Sequence, residues 1–134
     1  MTPIESLHYA LGEMAYSIAF ADGKVQPEER KRFHSIVEAE LRCKNDAFNV
    51  SDIIFHILDK ENTDTKTSYD WAMQQLRLNS HYLSPQLKNT FISVLEKIAK
   101  AFPPVTKNEH NLLEKFKKEI EPLKGDPVYF EKAL

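Results

Sequence analysis

Residues 19–30 read AFADGKVQPEER, and this segment decides the fold that the rest of the chain adopts. The small and apolar residues at its start complete one helical pattern, and Pro27 with the acids after it begins another. Gly23 stands between the two patterns and supplies the left-handed backbone conformation that commonly ends a helix. The segment therefore predicts a corner between two helices, and its acidic residues are the candidate functional residues: Asp22, Glu28 and Glu29.

The composition of the chain is that of a globular protein. Its 134 residues suit one domain, 1–134, and 42% of them are hydrophobic. A formal net charge of −2 argues against a nucleic-acid partner. Cys43 is the one cysteine, so no disulfide can form within the chain, which suits a reducing cytoplasm. We expect no signal peptide, because the N-terminus has no basic region followed by an apolar core. We expect no direct membrane insertion, because no apolar run approaches roughly 18 residues.

Apolar spacing and end signals predict an all-α bundle of about six to seven helices. The predicted helices are 3–21, 27–42, 51–60, 65–79, one that begins at Pro85, one that begins after Thr106 and a short one after Asp126. Thr2, Ser84 and Thr106 are predicted caps, the last in a capping box with Glu109, and Ser51 or Asn49 is the predicted cap of the third helix. The third helix has little polar face, so it is predicted to be central.

Two side chains in these helices have competing interpretations. His56 lies in an apolar run, which favours a buried, hydrogen-bonded histidine over a metal ligand. Trp71 is interpreted as a core anchor, and the alternative is an exposed aromatic surface for a partner. Tyr82 and the tail residues 128–130 are further candidates for such a surface.

The chain also repeats itself at an offset of 80 residues. Identical pairs fall on inward positions and at the corner: Leu7 and Leu87, Ile18 and Ile98, Ala19 and Ala99, Val25 and Val105, Glu29 and Glu109. The repeat predicts two pseudo-repeated helical hairpins, helices 1–2 and 5–6, with two helices between them. Residues 102–104 of the second copy, Phe-Pro-Pro, replace Asp22-Gly23-Lys24, so the corner itself does not require an acid.

The acid at position 22 has two interpretations. It follows the negative end of the first helix, which is unfavourable unless backbone amides or a cation compensate the charge. Asp22, Gly23 and Glu29 match later positions of an EF-hand loop, but Ile18 and Phe20 fall where its first carboxylates belong. An EF-hand is therefore excluded. A structural turn and a divalent-metal site both remain.

The same segment resembles the TerB-like family, which includes tellurite-resistance proteins and the N-terminal region of a membrane-anchored DnaJ-type co-chaperone. The match rests on the alanine, the Asp-Gly, the hydrophobe two residues later and the Glu-Glu pair. The resemblance implies a bundle of duplicated hairpins in which Asp22, Glu28 and Glu29 bind a divalent metal of the calcium or magnesium class. It also implies a stress-linked role in complexes near the inner face of the membrane.

These observations favour a non-enzymatic stress-response protein with an acidic metal site. The alternative is a metal-independent interaction module, such as a co-chaperone or an adaptor of a membrane complex. An enzyme is not expected, because the sequence has no Gly-rich phosphate loop and no recognisable nucleophile. We expect a cytoplasmic monomer or weak dimer with an unknown protein partner. His34 and Glu38, four residues apart, are interpreted as an ordinary surface pair.

Overall fold

A computed structural model describes residues 1–41, 48–101 and 105–133 of the chain. Within these residues the structure is all-α, with helices and turns and no strand. The helices are α1 (Pro3–Ala19), α2 (Pro27–Leu41), α3 (Phe48–Glu61), α4 (Thr65–Leu78), α5 (Pro85–Ala99), α6 (Lys107–Ile120) and α7 (Pro127–Ala133), with a 3₁₀ turn at Ser80–Tyr82.

Helix α1 is the centre of the bundle, and it packs against α3, α4, α5 and α6. One stripe of α1 is fully buried because its apolar residues recur every three or four positions: Leu7, Leu11, Met14 and Ile18. Gly12 lets α3 approach closely, since a Cβ at this position would collide with Ile54 and with the backbone of Ser51. Helix α2 packs against α3 and α5.

The end signals read from the sequence are confirmed at most helix ends. The hydroxyl of Thr2 accepts a hydrogen bond from the Glu5 amide, and Ser84 does the same for Leu87. Thr106 and Glu109 form the predicted capping box. Gly23 has φ +90°, so the corner uses the backbone conformation that glycine was expected to supply.

Two predicted helix ends are wrong. Helix α1 ends at Ala19 instead of residue 21, because the chain already turns at Phe20, which caps the helix. Helix α3 begins at Phe48, before both predicted caps, Asn49 and Ser51. Ser51 is a buried residue inside the helix, where its hydroxyl donates a 2.5 Å hydrogen bond to the carbonyl of His8. That bond satisfies a hydroxyl which the sequence pattern assigned to a cap.

The predicted burial of three features is also wrong. Helix α3 is not central: Ile53 and Ile57 are 59% and 45% exposed, because only one side of the helix packs on α1 and α2. His56 lies on that exposed side instead of in the core. Trp71 is 47% exposed, while its neighbours Ala72 and Met73 on α4 are buried.

Some predictions lie outside the described residues: the position of Cys43, the end of helix 2 at residues 42–46 and the second corner at residues 102–104. The duplication of the two hairpins stays a prediction. No helix in the described part of the chain combines the length and the apolar character that crossing a membrane requires.

Candidate functional site

The corner between α1 and α2 forms one wall of a small cavity of about 150 Å³. The opposite wall comes from the start of α6, so the cavity lies where two helix N-termini meet the end of α1. We call it the corner cavity, and its lining residues are Ala19, Asp22, Lys24, Gln26, Glu29, Thr106 and Glu109.

Each glutamate in the corner cavity is held by the N-terminus of its own helix. Gln26 lies three residues before Glu29, and its backbone amide donates a 3.1 Å hydrogen bond to Glu29 Oε1. Thr106 lies three residues before Glu109, and its hydroxyl donates a 3.0 Å hydrogen bond to Glu109 Oε1. An acidic residue is favoured in the first turn of a helix by the helix dipole and by the free amides there. The caps therefore fix one oxygen of each carboxyl group.

The second oxygen of each carboxyl group has no such partner. Glu29 is 2% exposed and Glu109 is 5% exposed, so both side chains are buried. Oε2 of each is shielded from solvent and accepts no hydrogen bond from a separate donor group, but the two carboxyl groups lie close enough to share a hydrogen bond with each other. Buried carboxyl oxygens without partners are unfavourable when the group is ionised. The cavity thus contains two acceptors that lack a positive partner.

Burial raises the pKa of the Glu29 and Glu109 carboxyl groups above the usual value. The charge of Asp22 raises both pKa values further, and the charge of Glu109 acts on Glu29 in the same direction. The capping hydrogen bond from Gln26 opposes the increase at Glu29. Two carboxyl groups that share a desolvated site resist simultaneous ionisation. The pair consequently retains a proton more readily than separate surface glutamates would.

Asp22 completes the acidic lining from the turn after α1. Its Oδ1 accepts a 2.9 Å hydrogen bond from the side-chain amide of Asn108 on α6. Asp22 is exposed, unlike the two glutamates, and it brings α1 and α6 together across the opening of the cavity. Lys24 also lines the cavity and contributes a positively charged side chain to it.

The predicted site residues fall in two places. Asp22 and Glu29 both line the corner cavity, but Glu28 is exposed and is not among its lining residues. The sequence interpretation treated Glu109 only as a cap, and the structure places it opposite Glu29. Its position at the 80-residue offset from Glu29 was the signal for this proximity.

The arrangement suits an ion that prefers oxygen ligands. Calcium and magnesium take carboxylate oxygens, and the cavity offers three carboxyl groups from three segments of the chain. In the described residues, however, no three His, Cys, Asp or Glu side chains already converge as a metal cluster. Cation binding would therefore require the carboxyl groups to ionise and turn toward one point.

Comparison with known proteins identifies the family. The sequence profile of the family described as tellurite resistance protein TerB matches residues 8–122, which is most of the chain. The same comparisons find no matching curated protein and no matching solved structure. The family match begins within α1, at His8, extends past the end of α6 and includes both acidic walls of the corner cavity. The chain therefore belongs to the TerB family.

Proposed function

We propose that this chain is a non-enzymatic, stress-linked TerB protein that binds a divalent cation of the calcium or magnesium class. The cation is held by Asp22, Glu29 and Glu109 in the corner cavity. The observation that carries the proposal is the pair of buried carboxyl groups of Glu29 and Glu109, which lie against each other in the cavity and whose Oε2 atoms accept no hydrogen bond from a separate donor group. A bound cation would stabilise the ionised form of these carboxyl groups, whereas burial alone favours the protonated form.

The internal repeat supports this assignment. Glu29 and Glu109 occupy equivalent positions in the two predicted hairpins, so packing of the hairpins would bring their acidic first turns together. Only the first copy carries the additional acid, Asp22, which makes the site asymmetric. In this proposal Glu109 takes the place that the sequence interpretation gave to Glu28, because Glu109 lines the cavity and Glu28 does not.

Calorimetric titration of the full chain with calcium, magnesium, manganese and zinc tests the proposal. We expect binding to wild type, and at least roughly tenfold weaker binding after Asp22→Ala or Glu109→Gln, since each removes a charged ligand. Glu28→Gln is the matched control, because it removes an acid from the same helix turn outside the cavity. No heat with any cation up to the millimolar range, or equal heat from all variants, would refute the metal site.

A second candidate function is a metal-independent interaction module, and a different surface favours it. Trp71 and Leu78 on α4 are 47% and 69% exposed, and their spacing of seven residues places them on one helix face. Exposed large apolar residues on one face are typical of a protein contact. Such a module would act as a co-chaperone or as an adaptor of a membrane-associated complex in the cytoplasm.

Affinity capture from cell extract distinguishes this second candidate. We expect a partner retained by wild type and by Asp22→Ala but lost from Trp71→Ala, with Trp71→Phe as the conservative control. Circular dichroism of Trp71→Ala should show an intact fold because the side chain is exposed. Equal capture by Trp71→Ala and wild type would exclude this face as the interaction surface.

A further inference from the structure

Away from the corner cavity, a larger cavity lies beside α5, where the chain passes from α6 into α7. We call it the α7 cavity. Its volume is about 510 Å³, compared with about 150 Å³ for the corner cavity, and the two cavities share no lining residue. Sites for small organic molecules typically enclose roughly 300–1,000 Å³. The size of the α7 cavity therefore suits a small organic molecule.

Aromatic contacts hold the α7 wall of this cavity in place. The ring of Tyr129 stacks on that of His81 with centroids 5.2 Å apart, and it meets the ring of Tyr82 edge-on at 5.5 Å. The backbone amide of Asp126 donates a 2.9 Å hydrogen bond to the carbonyl of His81. These contacts join α7 to the 3₁₀ turn that precedes α5. Phe130 is thereby positioned as one side of the α7 cavity.

The lining of the α7 cavity is largely apolar. Its apolar side chains are Leu83, Pro85, Ile92, Leu123, Pro127 and Phe130. An apolar body in this space would be removed from water, which is favourable. Ile92 and Lys88 are four residues apart on α5, so they lie on one face of the helix. The apolar lining therefore adjoins an ammonium group.

Lys88 carries a positive charge that its own contacts do not neutralise. Its Nζ donates 2.9 Å hydrogen bonds to the main-chain carbonyls of Glu121 and Leu123. An ammonium group has three N–H donors, so one remains for a ligand. Both acceptors are neutral peptide carbonyls, and the end of a helix compensates a full positive charge only in part. The α7 cavity thus offers one charged donor beside an apolar lining.

A second lysine adds to the positive charge of the cavity. Lys124 directly follows Leu123, whose carbonyl Lys88 contacts, and it lines the same cavity. Among the residues that the structure describes, neither lysine forms an ion pair with a carboxylate. Glu121 also lines the cavity, so two positive charges accompany one negative charge. The excess of one positive charge favours a ligand with a single negative group.

We propose that the α7 cavity binds a small amphipathic carboxylate, of the class of medium-chain fatty acids. The carboxylate accepts the remaining N–H of Lys88 and lies near the charge of Lys124. The hydrocarbon chain lies among Ile92, Leu123 and Phe130. A neutral molecule of the same shape loses the charge-assisted hydrogen bond, and a small anion without an apolar body loses the burial of its chain. Both therefore bind more weakly.

Titration of the isotope-labelled full chain with octanoate, followed by amide NMR, tests the proposal. We expect saturable shifts of the signals of Leu83, Ile92 and Phe130 in the millimolar range, while that of Asp22 in the corner cavity stays unchanged. Octanol should bind about tenfold more weakly, because it lacks the charged partner of Lys88. Acetate should give no saturable shift.

Three results of this titration would overturn the proposal. The first is the absence of saturable shifts with octanoate, and the second is saturable shifts confined to residues outside the α7 cavity. The third is equal affinity for octanol and octanoate, since the lysines would then play no part. Sedimentation of the protein with phosphatidylglycerol vesicles, without binding of octanoate, would assign the lysines to a membrane surface and equally overturn it.

Variants give an independent readout with the same ligand. Lys88→Gln should weaken octanoate binding about tenfold and Lys124→Gln about threefold, because the partly buried ammonium group contributes more than the exposed one. Lys118→Gln is the matched control, since Lys118 is exposed on α6 and does not line the cavity. Ile92→Trp should abolish binding by filling the cavity.

The fold of each variant is checked by circular dichroism, because Lys88 also holds the end of α6. If Lys88→Gln does not fold, Lys124→Gln and Ile92→Trp still test the site, since Lys124 is exposed and Ile92 is only partly buried. Equal octanoate affinity in wild type, Lys124→Gln and Ile92→Trp would refute it. Asp22→Ala should bind octanoate as wild type does, so failure of the corner cavity as a metal site leaves this result intact.

Discussion

The corner cavity and the surface group of His34, Asp52 and His56, which we call the histidine–aspartate group, use acidic residues in opposite ways. In the corner cavity Glu29 and Glu109 are buried, and their carboxyl groups lie within hydrogen-bonding distance of each other. In the histidine–aspartate group the carboxylate of Asp52 lies between two imidazoles that solvent reaches. The first region concentrates negative charge, whereas the second balances it within the group.

This difference shows how burial changes the behaviour of acidic residues. Interactions between charges are strong in a desolvated cavity and weak at a screened surface. In the absence of a bound ion, protonation of a glutamate relieves repulsion between the acids of the corner cavity. Ion pairs of the exposed group contribute little to the stability of the fold.

The largest effect should be stabilisation by a cation at alkaline pH. At pH 8 and a cation concentration one hundred times Kd, we expect an increase of about 2.7 kcal/mol in the free energy of unfolding. At pH 5 the increase should be smaller, because protons compete for Glu29 and Glu109. Thermal unfolding with calcium or magnesium measures both values. Equal stabilisation at pH 5 and pH 8 would show that the bound ion does not contact these buried acids.

Without a cation, stability should fall as the pH rises from about 5 to 8. The pKa of Glu29 is raised on folding, so the folded state binds its proton more tightly than the unfolded state does. The resulting stabilisation is complete below the unfolded pKa of about 4.3 and is lost as the pH passes the folded pKa. Glu29→Gln should flatten this decline by about 1 kcal/mol or more.

Glu13 provides a matched control for the pH prediction. It is buried on α1, and burial raises the pKa of its carboxyl group to about 8. Glu13→Gln should therefore also flatten the decline in stability between pH 5 and 8. Because Glu13 does not line the corner cavity, this variant should keep the cation-dependent stabilisation that Glu29→Gln loses. Loss of cation stabilisation in both variants would point to a general effect of charge.

A smaller effect is expected at the turn that positions Asp22. Gly23 has φ +90°, and a Cβ there would meet no neighbouring atom. Gly23→Ala should therefore lower the free energy of unfolding by about 1–2 kcal/mol through backbone strain alone. It should also weaken cation binding in the corner cavity. Chemical denaturation and calorimetry on the same variant measure these two effects.

The smallest effect should come from the exposed group. Replacing His56 with alanine should change the free energy of unfolding by less than about 0.5 kcal/mol near neutral pH, because exposed ion pairs contribute little. A denaturant titration in the absence of metal provides the comparison with wild type. A loss above about 2 kcal/mol would mean that the histidine–aspartate group is part of the structural framework.

Helix ends were predictable where a local side chain determines them. Thr2, Ser84 and Thr106 each cap a helix through a bond to an amide three residues later, so neighbouring residues suffice to identify the cap. Ser51 misled the prediction because its partner is the carbonyl of His8, which is distant in sequence. A hydroxyl with a tertiary partner cannot be distinguished from a cap by local pattern.

Burial was less predictable than helical structure. Ile53, Ile57 and Trp71 are large and apolar, yet all three face outward, because α3 and α4 each pack only one side on α1. A helix that is apolar on several faces gives no signal about which face a neighbour will cover. The spacing of apolar residues therefore predicted the helices correctly and their orientation only in part.

The candidate site was predictable on one wall only. Asp22 and Glu29 stood out because they are close in sequence at a helix corner. Glu109 is as buried as Glu29 and lies in the same cavity, but its role as a cap gave a sufficient local explanation. Glu28 has the same local character as Glu29 and is exposed, since adjacent helix positions point in different directions.

Proton release on cation binding tests most directly whether the buried acids of the corner cavity hold the ion. Calorimetric titration at pH 7 in two buffers of different ionisation enthalpy gives the number of protons released per cation. We predict release of about one proton from wild type, because Glu29 and Glu109 must ionise to bind the ion. Glu29→Gln should bind weakly and release almost none. Tight binding to wild type without proton release, or no binding at all, would contradict cation binding by Glu29 and Glu109.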